Sequence, residues 1–271
     1  MLHLRLGITL GIGLLALSGI SQAVEQRDMG ISQTDGLYLT TGLEYQSGDY
    51  GTGSTTNLWT VPVGVDYYQG RLSAGIYGSL MHAKSDGVII TSNTMGGHMT
   101  SVSSSSTRST SVTGIGDVNL YASYRLATPN EDEISYHVTG RLKLGTADAD
   151  KGLGTGQNDY AIEGGMLTTL QSMFVFANIG YQISGDSATI NYHNVWYANG
   201  GALFPLNDRR SVGAMLEVSQ AMTPGFDAPA QLTLFLNQSL ADQRSLYFYL
   251  LLGLSNGSPD SGVGVNLTLK L

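Results

Sequence analysis

The chain has no cysteine. Disulfide bracing, thiol nucleophiles and Cys-ligated metals are therefore excluded. Charge is scarce: Asp, Glu, Lys and Arg make up 13% of the residues, where a soluble chain carries about 25%. Positive charge is scarcer still, with 13 Lys and Arg against 21 Asp and Glu for a net charge of -8. That balance argues against a nucleic-acid partner. Long apolar runs are missing as well. Leu6 to Ile20 is a run of 15 residues, short of the roughly 20 that a membrane-spanning helix needs. A chain with so little surface charge and no spanning helix must meet its solvent another way.

That apolar run follows Arg5 and precedes Ser21-Gln22-Ala23, the small-x-Ala pattern of a cleavage site. Residues 1–23 read as a secretory signal peptide. Residues 24–35 are polar and read as a short periplasmic segment.

From Gly36 to Leu271 the dominant signal is alternation with period 2. Glycine is abundant at 36 residues, and Tyr outnumbers Phe 15 to 6. Trp59, Val61, Val63, Val65 and Tyr67 share one face, and Leu246, Phe248, Leu250, Leu252 and Leu254 another. Twelve such segments, each of about ten residues, can be marked out, and a tilted strand of about 9–11 residues crosses a bilayer. Their connections alternate between short and long, as in outer-membrane barrels. The expected fold is all-β: a 12-stranded antiparallel transmembrane barrel, an up-and-down meander over residues 36–271. A secreted soluble sandwich would also alternate, but would not need spans of this length or so sparse a charge.

Placement of the aromatics agrees. Trp59 and Tyr67 are eight residues apart on the apolar face, roughly 19 Å along the membrane normal. Tyr124 and Tyr136 flank one short connection and are expected as cross-strand neighbours. These four are candidates for the aromatic girdle. Pro62 falls inside the second segment, where it cannot donate to a ladder, and predicts a bulge.

The polar face should line the lumen. In Gly140–Gly165, Arg141, Lys143 and Glu163 alternate with apolar residues. Counting across the connections places Asp117 near Lys143, Asn119 near Arg141 and Arg141 near Glu163, with Arg125 further down. Glu44 and Glu217 are candidates to face this ladder. Two readings stand: a constriction that orients a polar solute, or an ion-pair network bracing a narrow interior. Twelve strands lie between the filled eight-stranded barrels and the open sixteen-stranded ones.

Other motifs are weaker. Asp148-Ala149-Asp150-Lys151-Gly152 opens like a calcium loop, then lacks its later oxygen ligands. His82, Met95, His98 and Met99 form a loose soft-metal set in or beside a Ser/Thr-rich loop, 82–113. His193-Asn194 and Ser255-Asn256-Gly257 offer a base and a hydroxyl to a lipid-acting enzyme, but in different loops. Gly152–Gly156 is followed by no helix and no Lys-Ser/Thr, so it is no phosphate cradle. No metal, cofactor or catalytic residue is expected.

Gly114-Ile115-Gly116-Asp117, Tyr124-Arg125-Leu126 and the run from Leu142 to Leu153-Gly154-Thr155-Gly156 carry a resemblance. They resemble the meta-pathway phenol-degradation family of outer-membrane proteins, with its G-x-G-D strand, Y-R-L ending and L-G-T-G loop. Here Leu144-Gly145-Thr146 stands where that family tends to have Pro-Thr-Gly. The resemblance implies an outer-membrane barrel associated with uptake of aromatic or other hydrophobic compounds. Its partners would be outer-membrane lipid, a small solute and the barrel-assembly machinery, which usually reads a terminal aromatic where this chain has Leu271. A plugged structural or surface-interaction barrel is the alternative. On this reading the glycine loop is an outer-surface turn.

Overall fold

The computed structural model describes residues 34–86, 89–93, 98–102, 110–126, 134–186, 191–240 and 243–271. The signal-peptide expectation for 1–23 and most of the polar segment lie outside them. The elements are β1 (Gly36–Gly48), β2 (Thr56–Gln69), β3 (Leu72–Ser85), β4 (Ile89–Asn93), β5 (His98–Val102), β6 (Thr110–Ile115), β7 (Val118–Arg125), β8 (Ile134–Leu144), β9 (Asp159–Leu170), β10 (Met173–Ile183), β11 (Val195–Asn207), β12 (Arg210–Ser219), β13 (Ala230–Ser239), β14 (Arg244–Gly253) and β15 (Ser261–Lys270). β4 and β5 form a separate hairpin, so part of 82–113 is ordered strand rather than plain loop.

β6 and β7 together make one barrel strand. Both pair with β3, and every other strand pairs antiparallel with its sequence neighbour. β1 also pairs with β15, from Tyr38↔Lys270 to Ser47↔Ser261, which closes a 12-stranded antiparallel barrel. Closure leaves no free sheet edge, as a strand structure in lipid requires. No described helix is long and apolar enough to cross a membrane.

The alternation sorts side chains as expected. Leu43, Val63, Ile76, Ile162, Ile179, Leu216, Leu250 and Val263 all stand exposed on the outer wall. An apolar belt of that extent belongs in hydrocarbon rather than in water. Trp59, Tyr67, Tyr124 and Tyr136 are also outward and exposed. Trp59 packs on Tyr45 at 4.8 Å and Trp196 on Tyr181 at 5.0 Å, both near the long loops. Tyr124 pairs with Val138, while the Tyr136 carbonyl accepts from Leu126 N–H, so the two tyrosines are diagonal rather than directly opposed.

Two local expectations need correction. Pro62 makes no bulge: the β1–β2 register reads Thr41↔Val63 on one side of it and Glu44↔Thr60 on the other, without a shift. The ladder skips two pairs, Gly42 with Pro62 and Leu43 with Val61, and the Thr41 hydroxyl donates to the Pro62 carbonyl at 2.9 Å. Register shifts lie elsewhere, one between Pro205 and Asn207 of β11 and one on the β6–β7 strand. Tyr77 pairs with Asn119 but Leu80 with Ile115, so the β6–β7 strand holds one extra residue at Gly116-Asp117. Bulges re-aim side chains: before this one Ile115 faces out, and after it Asp117 faces in, in phase with Asn119 and Tyr121.

Candidate functional site: the barrel interior

The inner wall is built on a repeated fit of ring against glycine. Tyr77 lies across the ladder from Gly64, Tyr121 from Gly75, Tyr197 from Gly180, Tyr249 from Gly264 and Phe235 from Gly213. A Cβ added at any of these glycines would overlap the facing ring. Glycine inside a strand marks close approach by another group, and here it lets large rings lie flat inside a narrow barrel. The result is a tyrosine group, Tyr38, Tyr68, Tyr77 and Tyr121, on one side. On the other side Leu167, Phe176, Leu203 and Met215 are buried together, with Phe174 and Phe235 against them. Period-2 counting assigns these positions to the lumen but expects polar residues there.

The charged ladder sits on β7, β8 and β9. Arg141 Nη2 donates to Glu163 Oε1 at 2.8 Å, and both side chains are buried. Lys143 Nζ lies 2.8 Å from Asp159 Oδ2 and 3.4 Å from Asp117 Oδ2. The ladder thus contains the Asp117–Lys143 and Arg141–Glu163 pairs, with a register one step from the counted one: Asn119↔Lys143, Tyr121↔Arg141 and Lys143↔Asp159. Asp159 is a member that the candidate set lacked. Asn119 Nδ2 donates to the Asp117 carbonyl at 3.2 Å, and Arg125 closes the inner row of β7 toward the short turns. Glu44 and Glu217 sit on other strands and accept from amides, Asn266 Nδ2 at 3.2 Å and Gln231 Nε2 at 2.8 Å. Asp66, also absent from the candidates, accepts from Tyr121 Oη at 2.6 Å.

The glycine loop between β8 and β9 is not an outer-surface turn. It folds into the barrel mouth. Leu153 is buried against Leu58, Met81, Ala83 and Ala147, three of them inner-wall residues of β2 and β3. Thr155 is buried and accepts from Lys143 Nζ at 2.8 Å. Ala147 N–H donates to Asp117 Oδ1 at 2.9 Å. Gly154 passes so close that a Cβ there would stand 2.7 Å from Ala147 Cβ and 2.8 Å from Asp117 Oδ2. The G-x-G-D strand and the L-G-T-G loop are therefore two halves of one structure: the bulge presents Asp117, and the loop lies down on it.

The remaining motifs have local partners. Asp148 caps a 3₁₀ turn over Ala149–Lys151 and pairs with Lys151 Nζ at 2.9 Å, and that hydrogen bond holds its carboxyl below the usual range. His82 bonds the Thr113 hydroxyl at 2.7 Å on the outer wall. Met95 lies outside the described residues, as do the side chains of His98 and Met99. His193 Nδ1 lies 3.3 Å from the Ala221 carbonyl, while Ser255 Oγ donates to the Ala228 carbonyl. Each of the two is tied to backbone in its own surroundings.

No protein-family model matches the chain, and no curated protein matches it in sequence. Solved structures do match in shape. An outer membrane channel from Pseudomonas putida F1 superposes with a TM-score of 0.63 at 14% identity, over 89% of this chain and 97% of that one. The NanC porin gives 0.53 at 10% identity over 86% and 100%, and the translocator domain of the autotransporter NalP from Neisseria meningitidis gives 0.51 at 12% over 93% and 94%. The fold is that of outer-membrane barrels. At these identities the likeness establishes architecture and leaves function to the interior.

Proposed function

We propose that the chain is an outer-membrane channel for passive uptake of small hydrophobic or aromatic solutes, exported by a signal peptide over residues 1–23. The carrying observation is the apolar group inside the barrel, Leu167, Phe176, Leu203 and Met215 with Phe174 and Phe235. A channel for hydrated solutes has a polar interior, and a wall of this kind instead removes apolar surface from water. The fold likeness to an outer membrane channel and the family resemblance of residues 114–156 support the same reading. The loop on Asp117 and Lys143 would be the constriction that a solute must pass.

Packing of the interior favours one competing reading, a plugged structural barrel. Thr139, Thr233, Asn237, Leu251 and Asn266 are all fully inaccessible to water. Flux separates the two. Vesicles with lipopolysaccharide in the outer leaflet slow the entry of apolar solutes. With the barrel inserted, ethylbenzene is expected to enter faster than in protein-free vesicles, while sugars of similar mass lag behind. Equal entry with and without protein would leave the plugged barrel as the better account.

A further inference from the structure

The inner wall of β12 and β13 carries polar side chains that no described residue uses. Asn237 is 0% exposed, and among the described residues neither its carbonyl oxygen nor its amide nitrogen has a hydrogen-bond partner. Ser211 lies directly across the ladder from Asn237. Thr233 and Ser239 share its face of β13. All three are buried, and their hydroxyls too find no partner among the described residues. Several other interior side chains have a partner within the protein: Asn178 with Asn199, Thr139 with Ser123, Thr40 with Thr268 and Glu44 with Asn266. Buried polar groups are nearly always bonded, because leaving one unmade forfeits its hydration without return. Four along the inner faces of one strand pair, with Asn237 and Ser211 directly opposed, mark a place whose partners come from outside the described residues.

The patch adjoins apolar wall. Phe235 stands between Thr233 and Asn237, packs on the buried group around Leu203 and Met215, and has its ring centre 5.6 Å from that of Tyr247. An amide and three hydroxyls can both donate and accept, yet carry no charge. They could not replace the hydration of an ion, but they suit a neutral group that needs one or two hydrogen bonds.

We infer that this patch binds the polar end of an otherwise apolar solute, a neutral molecule with an aromatic or aliphatic body and one hydroxyl or carbonyl group. The body lies on Phe235, Leu203 and Met215, and the polar end bonds Asn237 with Ser211, its cross-strand neighbour. The inference rests on the channel reading and names its substrate class.

Benzyl alcohol and ethylbenzene have the same shape and differ by hydroxyl against methyl. Their binding to the full barrel in lipid nanodiscs can be measured by calorimetry against protein-free nanodiscs. Asn237→Leu is expected to weaken benzyl alcohol about fivefold, the worth of a typical net hydrogen bond, and to leave ethylbenzene unchanged or tighter. Ser211→Ala should move benzyl alcohol the same way by a smaller factor, and it carries the test alone if Asn237→Leu fails to fold. If both solutes bind and neither variant changes the ratio of their affinities, the inference is overturned: the polar groups serve bound water, and the channel reading stands. If neither solute binds the wild-type barrel, the channel reading falls with it.

Discussion

At the scale of residues, the interior depends on two kinds of pair. The first is ion pairs out of water. Removing one partner of a buried pair strands the other charge, which costs roughly 3–5 kcal/mol, whereas replacing both with apolar groups is often neutral. Arg141→Leu is therefore expected to destabilise the barrel by that amount, and Arg141→Leu/Glu163→Leu by clearly less. Urea unfolding from lipid vesicles reads both; a double variant as unstable as the single one would show that the pair is needed as a pair. The second kind is ring on glycine. Gly180→Val drives a side chain into the Tyr197 ring and should cost about 1–3 kcal/mol by overpacking. Adding Tyr197→Ala should recover part of that loss, and the double-mutant cycle measures the coupling. Additive losses would mean that the two positions do not contend for one space.

At the scale of elements, the glycine loop between β8 and β9 matters most. It is held down by Lys143 on Thr155, by Ala147 N–H on Asp117 and by Leu153 on the inner wall. All three contacts require close approach at Gly154. Gly154→Val should lift the loop and raise single-channel conductance in planar bilayers, with the β-sheet circular-dichroism signal unchanged. An unchanged conductance would place the constriction elsewhere. The bulge at Gly116-Asp117 belongs to the same device, since it lets Ile115 face out while Asp117 keeps the inward phase of Asn119 and Tyr121.

At the scale of the whole molecule, the barrel is inside out relative to a soluble protein. Its outer wall is apolar in the middle, and Leu250 stands there 45% exposed. In lipid, an Arg at the bilayer midplane costs about 2–4 kcal/mol, so Leu250→Arg should lower folding stability in vesicles by that much. A loss near zero would mean that this position does not sit in hydrocarbon.

The sequence by itself determined the barrel. Alternation over twelve bilayer-length segments, sparse charge and alternating connection lengths specify strands, their number and which face meets lipid, because the side-chain period of a strand is 2 whatever its neighbours do. It also put Arg141, Lys143, Glu163 and Asp117 on the inside. Where a two-residue turn sets the pairing, as at Gly70-Arg71, even Tyr77 opposite Gly64 follows from counting. Across connections longer than such a turn, residues 127–133 as well as the glycine loop, counting fails, because connection length does not fix where the next strand begins to pair. That is why the ladder registered one step away from the counted position, and why Asp159 went unrecognised as a partner of Lys143. Only the tertiary structure could decide that the L-G-T-G loop turns inward, that Leu167, Phe176, Leu203 and Met215 meet, and that Asn237 is left without a protein partner among the described residues. Each depends on which strands stand opposite one another across the barrel, and that is set by closure rather than by any local pattern.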